Sequence, residues 1–345
     1  MKALRIHAPG GGDRLRYEDA DDPQLGSPSD VIVKLAAAAV SPLDVAPRTD
    51  VRCRELPFPH IPGADGAGTV ASMGAEVSNV KPGDAVCIYP LLTCGQCRFC
   101  TSGQESGCDE RRLLGAHEDG TYAEYVRVPA KNCFVIPAGL TFDEAAAFPL
   151  VYTTAWRMLF THADLKPGES VLIIGAGGGI ATAALQLAEA AAARVFVASH
   201  NRGKLAAVTR SGAHHGIDCP IEELAGEVRR LTAKRGVDVV VNSVGGSTWR
   251  AGLAALARGG RLVTCGAAGG GNPKTDLRRV FWNHLKIFAA GSPAREEFRR
   301  VWDFFDGTGR RPLIDRVFPL REAQAAHQRL QRGEQVGKII LRIDA

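Results

Sequence analysis

Four cysteines fall within fifteen residues, Cys94-Gly-Gln-Cys97-Arg-Phe-Cys100 and then Cys108. Two consecutive C-x-x-C steps on a glycine-bearing loop bring four thiolates to one tetrahedral cation, and the pattern reads as a structural zinc site, one ion per chain. Zinc held by four sulfurs at about 2.3 Å keeps no open position for water or substrate, so such a site folds a loop and does not name a reaction. An iron–sulfur cluster is the competing occupant, because thiolate runs of similar spacing also ligate clusters. Cys53, Cys87, Cys133, Cys219 and Cys265 lie in apolar or strand-like stretches with no close partner. They read as small buried hydrophobes, and no disulfide framework follows.

A second chemical signature is the turn Gly175-Ala176-Gly177-Gly178-Gly179-Ile180-Ala181, which follows an apolar strand and opens a helix. Glycines there allow a tight turn and let backbone amides approach a pyrophosphate at the positive end of the helix. The register departs from plain G-x-G-x-x-G: Ile180 stands at the last position, and Ala181 is the helix-packing small residue if the loop carries one insertion. At the end of the next strand a carboxylate would hold the ribose hydroxyls of NAD and repel a 2′-phosphate. The chain instead has Ser199-His200-Asn201-Arg202-Gly203-Lys204. A hydroxyl followed by two cations favours NADP(H) over NAD(H), the alternative being the solvated start of a helix.

These groups need two kinds of scaffold, and the chain changes character near residue 150. Before it, short alternating runs such as Val31–Leu35, Gly68–Val70 and Ala85–Tyr89 are punctuated by Pro and Gly, as at Lys81-Pro82-Gly83-Asp84. That pattern predicts an antiparallel, barrel-like β domain. After it, apolar runs at Ser170–Ile174, Arg194–Ala198, Val237–Val241 and Arg261–Cys265 alternate with helical stretches, one Ala-rich to about Ala192 and one around Thr248 to Arg258. Continuous apolar strands spaced by helices predict an α/β doubly wound parallel sheet, covered on both faces. Asn242, Val244 and Gly266 then fall at the carboxyl ends of strands, where ligands of such sheets bind. The tail from about Ser292 returns to helix and a last strand, Lys338–Arg342, which would complete the first domain. The expected boundaries are 1–150 with 293–345, carrying a zinc lobe at about 90–110, and 151–292.

The chain has 345 residues, against a prior of about 100–200 per domain, which agrees with two domains. Its formal charge of +5, from 42 basic and 37 acidic residues, is a mild surplus. The pairs Arg229-Arg230, Arg278-Arg279 and Arg310-Arg311 read as solvated helix faces, and no basic stripe interleaved with aromatics suggests nucleic acid. No secretory signal is seen at Met1–Arg5 and no apolar run is long enough to cross a bilayer, so the expectation is a cytoplasmic protein with reduced thiols and no membrane partner.

Together these features resemble the medium-chain dehydrogenase/reductase family over nearly the whole chain. The four cysteines match the structural-zinc loop of its alcohol dehydrogenase members. Asp119–Tyr125 is similar to the strand after that loop, and Glu144–Trp156 to the helix leading into the cofactor domain. The resemblance implies a GroES-like catalytic domain, a Rossmann domain and hydride transfer at C4 of a nicotinamide, with the substrate between the domains. It adds Thr154 and Lys338 to the cofactor contacts named above. It also implies a homodimer or homotetramer paired through sheet edges, for which the apolar segment from Val280–Trp282 through Ile287–Ala290 is the candidate, the alternative being that it is core.

The catalytic zinc of the family's alcohol dehydrogenases has no ligands here. Their first cysteine falls on Ser41, their His-Glu pair on Ala64-Asp65 and their later cysteine on Leu150. Hydroxyl, methyl and isobutyl groups do not replace Cys, His and Cys around zinc. The chain resembles the quinone oxidoreductase branch at Ser41–Asp44, Gly63–Gly66 and Phe148–Trp156, which implies NADPH-dependent reduction of quinones or α,β-unsaturated carbonyl compounds. Hydride would reach an electrophilic carbon while a donor stabilises the oxyanion, with Ser41 the first candidate and Asp44 and Asp65 beside it. The plain alternatives are that Ser41 precedes Pro42 in a turn and Asp44 caps a short helix. Two other functions remain open: a zinc alcohol dehydrogenase with ligands displaced to Cys53, His60 and Asp65, and an NADPH-binding scaffold without turnover. Arg48, Arg52 and Arg54 are candidates for an acidic or CoA-linked substrate, while His117 and His162 read as structural.

Overall fold

The computed structural model describes residues 1–49 and 57–343. Cys53, Arg52 and Arg54 lie outside the described residues. The chain divides into two compact units, Met1–Leu150 with Ala294–Ala345, and Val151–Pro293.

In the first unit one long strand organises everything around it. Asp30–Val40 pairs along its first half with Tyr125–Pro129 and along its second half with Lys338–Arg342, while Asp65–Met73 runs along its other edge. Ala37, Ala38 and Ala39 are fully buried, so methyl groups let neighbouring layers close over the second half. The sheet continues through Ala85–Ile88 to Cys133–Val135, and on the far side through Ile314–Pro319. Its pairs are antiparallel except for the last, in which Ile314–Pro319 runs parallel to Lys338–Arg342. The expectation of an antiparallel domain is corrected there. A helix, Ala323–Gln331, connects those two strands, and such a crossover permits parallel pairing.

The second unit is a six-stranded sheet, all parallel, in the spatial order His215–Ile217, Arg194–Ala198, Ser170–Ile174, Val237–Asn242, Leu256–Thr264, Lys286–Ala289. Val171, Leu172, Ile173 and Ile174 are all buried, as a strand covered on both faces requires. Chain order reverses between Ser170–Ile174 and Val237–Asn242, and the crevice beyond their carboxyl ends is the ligand position in this architecture. The helix expected over Thr248 to Arg258 ends at Ala255 instead. Leu256 and Ala257 are buried and enter the next strand early, across an irregularity that pairs Val237 with Leu256 and Val239 with Arg261. Arg229 is not a solvated side chain either, since its guanidinium donates to the carbonyls of Lys234, Ala254 and Leu256. No helix among the described residues is long and apolar enough to cross a membrane.

Candidate functional site

Strand register builds a polar knot inside the first unit. Asp65 lies opposite Ala39, and Ile339 lies opposite Val40, so Asp65, Ser41 and Lys338 converge at the end of the long strand. The Lys338 ammonium donates to Val40 O at 3.0 Å, Ser41 Oγ at 2.7 Å and Asp65 Oδ2 at 2.8 Å. Asp65 Oδ1 accepts the Leu150 backbone N–H at 2.9 Å, and Ser41 Oγ is 3.4 Å from Asp65 Oδ2. Exposure is 1% for Ser41, 1% for Asp44, 0% for Asp65 and 3% for Lys338, so substrate and cofactor have no direct access to these groups in this conformation. An ion pair this deep is sustained by the hydrogen bonds that satisfy both partners.

Asp44 joins the knot from the first turn of the helix Pro42–Thr49. Its carboxylate accepts the Ser41 N–H at 2.6 Å and the Ala64 N–H at 2.9 Å, and the Tyr122 hydroxyl donates to it at 3.3 Å. The bond back to Ser41 fixes the helix start, half of a capping box. Burial pushes the Asp44 carboxyl up to about 7, and the neighbouring Asp65 carboxylate adds to the rise. His327 Nε2 lies 3.3 Å from the Tyr122 hydroxyl. Tyr122, His327 and the role of Lys338 as an ion-pair partner carry no local motif and were not visible in the sequence.

The displaced-metal alternative finds no support here. His60 is 1% exposed, with Nε2 3.0 Å from the Gly115 carbonyl and Nδ1 3.3 Å from Asp119, and Asp65 is committed to Lys338. Among the described residues, the group able to hold a metal is Cys94, Cys97, Cys100 and Cys108. Its sulfurs stand 3.9 Å (Cys94–Cys100), 3.6 Å (Cys97–Cys100) and 3.6 Å (Cys94–Cys108) apart. Four sulfurs about 2.3 Å from one tetrahedral centre lie about 3.8 Å from each other, so the set fits zinc. A cluster interposes several iron and sulfide atoms and spreads its thiolates beyond such contact. The lobe is anchored by a residue the sequence did not single out: Glu105, buried between the third and fourth cysteines, pairs with the Arg295 guanidinium and accepts its backbone N–H at 3.1 Å. Arg295 opens the helix Arg295–Thr308, whose Phe298 and Trp302 stack on each other while Phe298 meets the Tyr89 and Phe134 rings at a tilt.

In the second unit the glycine turn has the form of an anion cradle. Gly175 and Gly177 take φ of 96° and 83°, and Gly178 precedes the twelve-residue helix Gly179–Ala190 with no side chain capping it. A Cβ built on Gly178 would meet no atom within 4 Å, so the helix start faces open space. Ile180 is half-buried, and Ala181 packs the helix down at 6% exposure. Across the switch point Asn242 pairs with Ile174. Asn242 Oδ1 gathers Val244 N, Gly245 N and the Thr248 hydroxyl, while its buried Nδ2 has no hydrogen-bond partner. An orphaned donor beside an open cradle fits a dinucleotide that would accept from it.

Other expected contacts divide. Thr154 is 6% exposed. A Cβ on Gly266 would stand 2.3 Å from Ser243 O, so close loop packing already accounts for that glycine. Ser199 Oγ accepts the Asn201 N–H, and Asn201 caps the helix Arg202–Arg210 by accepting the Lys204 N–H. Arg202 is exposed, yet its Nε is 2.7 Å from Asp218, a carboxylate the sequence reading did not weigh. His117 Nδ1 accepts the Leu113 N–H, and His162 stacks on Phe288, so both serve local structure. Cys87, Cys133, Cys219 and Cys265 form no disulfide.

A doubly wound sheet with an open glycine turn, in one chain with a β-sheet unit that carries a four-cysteine lobe, defines a nicotinamide-dependent oxidoreductase. Residues 27–138 match the alcohol dehydrogenase GroES-like domain, and residues 179–307 match the zinc-binding dehydrogenase domain. The chain is 32% identical to an NAD-dependent alcohol dehydrogenase of Sulfolobus acidocaldarius, over 99% of this chain and 100% of that one. It is 27% identical to a quinone oxidoreductase of Lama guanicoe, over 99% and 97%. A solved NAD-dependent alcohol dehydrogenase superposes with a TM-score of 0.95 at 36% identity, covering 100% of both chains. The chain belongs to the medium-chain dehydrogenase/reductase family of zinc-type alcohol dehydrogenase-like proteins.

Proposed function

We propose that the protein is an NADP(H)-dependent reductase of quinones or α,β-unsaturated carbonyl compounds that works without a catalytic zinc. The observation that carries this reading is the Lys338–Asp65–Ser41 knot. Where alcohol dehydrogenases of the family place Cys, His-Glu and Cys, this chain has Ser41, Ala64-Asp65 and Leu150, and the one carboxylate among them is neutralised by a buried ammonium 2.8 Å away. A divalent cation would meet a positive charge and no soft ligand there. When bound, the reduced nicotinamide supplies the hydride.

The chain's own residues bind and orient. The open start of the Gly179–Ala190 helix and Asn242 Nδ2 receive the pyrophosphate end of the cofactor. Arg202 and Lys204 would receive a 2′-phosphate, with Asp218 moderating the charge of Arg202. Lys338 occupies an accepting side of Ser41 Oγ, and the hydroxyl proton, directed at Asp65 Oδ2 over a long 3.4 Å, is the one an oxyanion would take over. Ser41, buried in this conformation, is the proposed oxyanion donor in one that uncovers it to substrate, while Asp44 and Asp65 hold it in place and Lys338 acts through it, not on the cofactor. Exposed Phe281, Trp282 and Ile287, on and beside the edge strand Lys286–Ala289, support pairing of two copies into a homodimer, or four into a homotetramer.

Metal content per chain, measured beside NADPH oxidation with a simple quinone and an enone, tests the proposal. One zinc and NADPH consumption are expected. Two zincs, with alcohol oxidation abolished by a chelator, would overturn it in favour of a displaced catalytic metal. One zinc with NADPH binding and no turnover would favour the scaffold reading. Preference for NADH in the same assay would overturn the cofactor assignment alone.

A further inference from the structure

The second unit carries an open cavity of about 500 Å³ lined by Arg250, Leu253 and the segment Lys274 to Arg279. Four of the eight lining residues are cations, Arg250, Lys274, Arg278 and Arg279, and one is an acid, Asp276. Asp276 is already engaged: its Oδ1 accepts the Arg278 N–H at 3.0 Å and lies 3.9 Å from the Arg278 guanidinium. Among the described residues no carboxylate pairs with Arg250, Lys274 or Arg279. These charges come from two elements, the helix Thr248–Ala255 and the segment beyond it. The Trp249 indole N–H donates to Thr275 Oγ1 at 2.9 Å and ties one to the other. These four exposed cations line one open cavity, and an anion placed there would meet all of them.

We propose that this cavity binds a phosphate compound carrying at least two negative charges. Guanidinium groups match phosphate oxygens bidentately, and Lys274 adds a point charge. The Thr275 hydroxyl accepts from Trp249 and keeps its own proton to donate. Leu253, 3% exposed, and Leu277, 70% exposed, give the recess an apolar side on which an organic body can rest. None of Gly175, Gly177, Gly178, Asn242, Arg202 or Lys204 lines it, so its lining shares no residue with the proposed cofactor contacts.

The test is calorimetric titration of inorganic pyrophosphate into the full chain saturated with its reduced nicotinamide cofactor. Saturable binding is expected, weakened about tenfold or more in Arg250→Ala/Arg279→Ala and unchanged in Arg16→Ala, a cation of the other unit. Both replaced side chains are exposed, and an unchanged melting temperature verifies that the double variant folds. Arg250→Lys/Arg279→Lys should regain part of the affinity. Three results would each overturn the proposal: no saturable binding to the cofactor-saturated protein, equal affinity in the double variant, or equal loss in Arg16→Ala.

Discussion

At the scale of the residue, Lys338 is the side chain on which most depends. Its ammonium satisfies Asp65 where water cannot, and removing one partner of a buried pair leaves the other charge uncompensated. Lys338→Met is expected to cost about 3–5 kcal/mol in urea denaturation, and Lys338→Met/Asp65→Leu to recover much of it, since an apolar pair carries no charge to desolvate. Equal costs for the single and double variants would argue that packing, not charge, governs the site. Asp44 sets a pH dependence of unusual sign. Its folded carboxyl is held up at about 7 against an ordinary 3.8, so its stabilisation is present in full below that ordinary value and is lost as pH rises through 7. Asp44→Asn should flatten this decline in the urea midpoint between mildly acidic and mildly alkaline pH. A decline that persists in the variant would assign it to another group.

At the scale of the element, the glycine turn separates what the fold needs from what the ligand needs. Gly175, at φ 96°, is required by the backbone. Gly178 has φ −69° and ψ 152°, which any residue adopts, and space where its Cβ would stand. Gly178→Ala is therefore expected to leave stability within about 0.5 kcal/mol while raising the cofactor dissociation constant about tenfold, read by thermal melting and fluorescence titration. Unchanged affinity would remove Gly178 from the cradle. The same division explains what was legible. Glycines between a strand and a helix announce a cradle locally, but Gly266 is explained by the approach of the Ser243 carbonyl, which no sequence spacing reports.

At the scale of the whole molecule, each unit has its own apolar core, one around the strand Asp30–Val40 and one around the parallel sheet. The four-cysteine lobe is tied into the first through Glu105 and Arg295. Stripping the metal with a chelator should raise amide exchange across residues 94–108 and at the start of the Arg295–Thr308 helix, while cofactor binding by the second unit persists. Loss of cofactor binding on chelation would mean that the lobe supports the Rossmann unit as well.

The sequence alone determined what depends on neighbours in the chain. Four sulfurs within fifteen residues define a metal lobe, strand–glycine–helix order defines a dinucleotide fold, and positions 41, 64, 65 and 150 carry neither thiol nor imidazole. Only the tertiary structure decided how those last positions are filled. Lys338 and Asp65 are 273 residues apart, and they meet because two strands pair with opposite edges of a third. Arg202 meets Asp218 from a neighbouring strand's end, and four cations surround one cavity, for the same reason. Side-chain type is written in the sequence, but the partner that sets its charge, proton and exposure is chosen by register and packing, which no local pattern encodes.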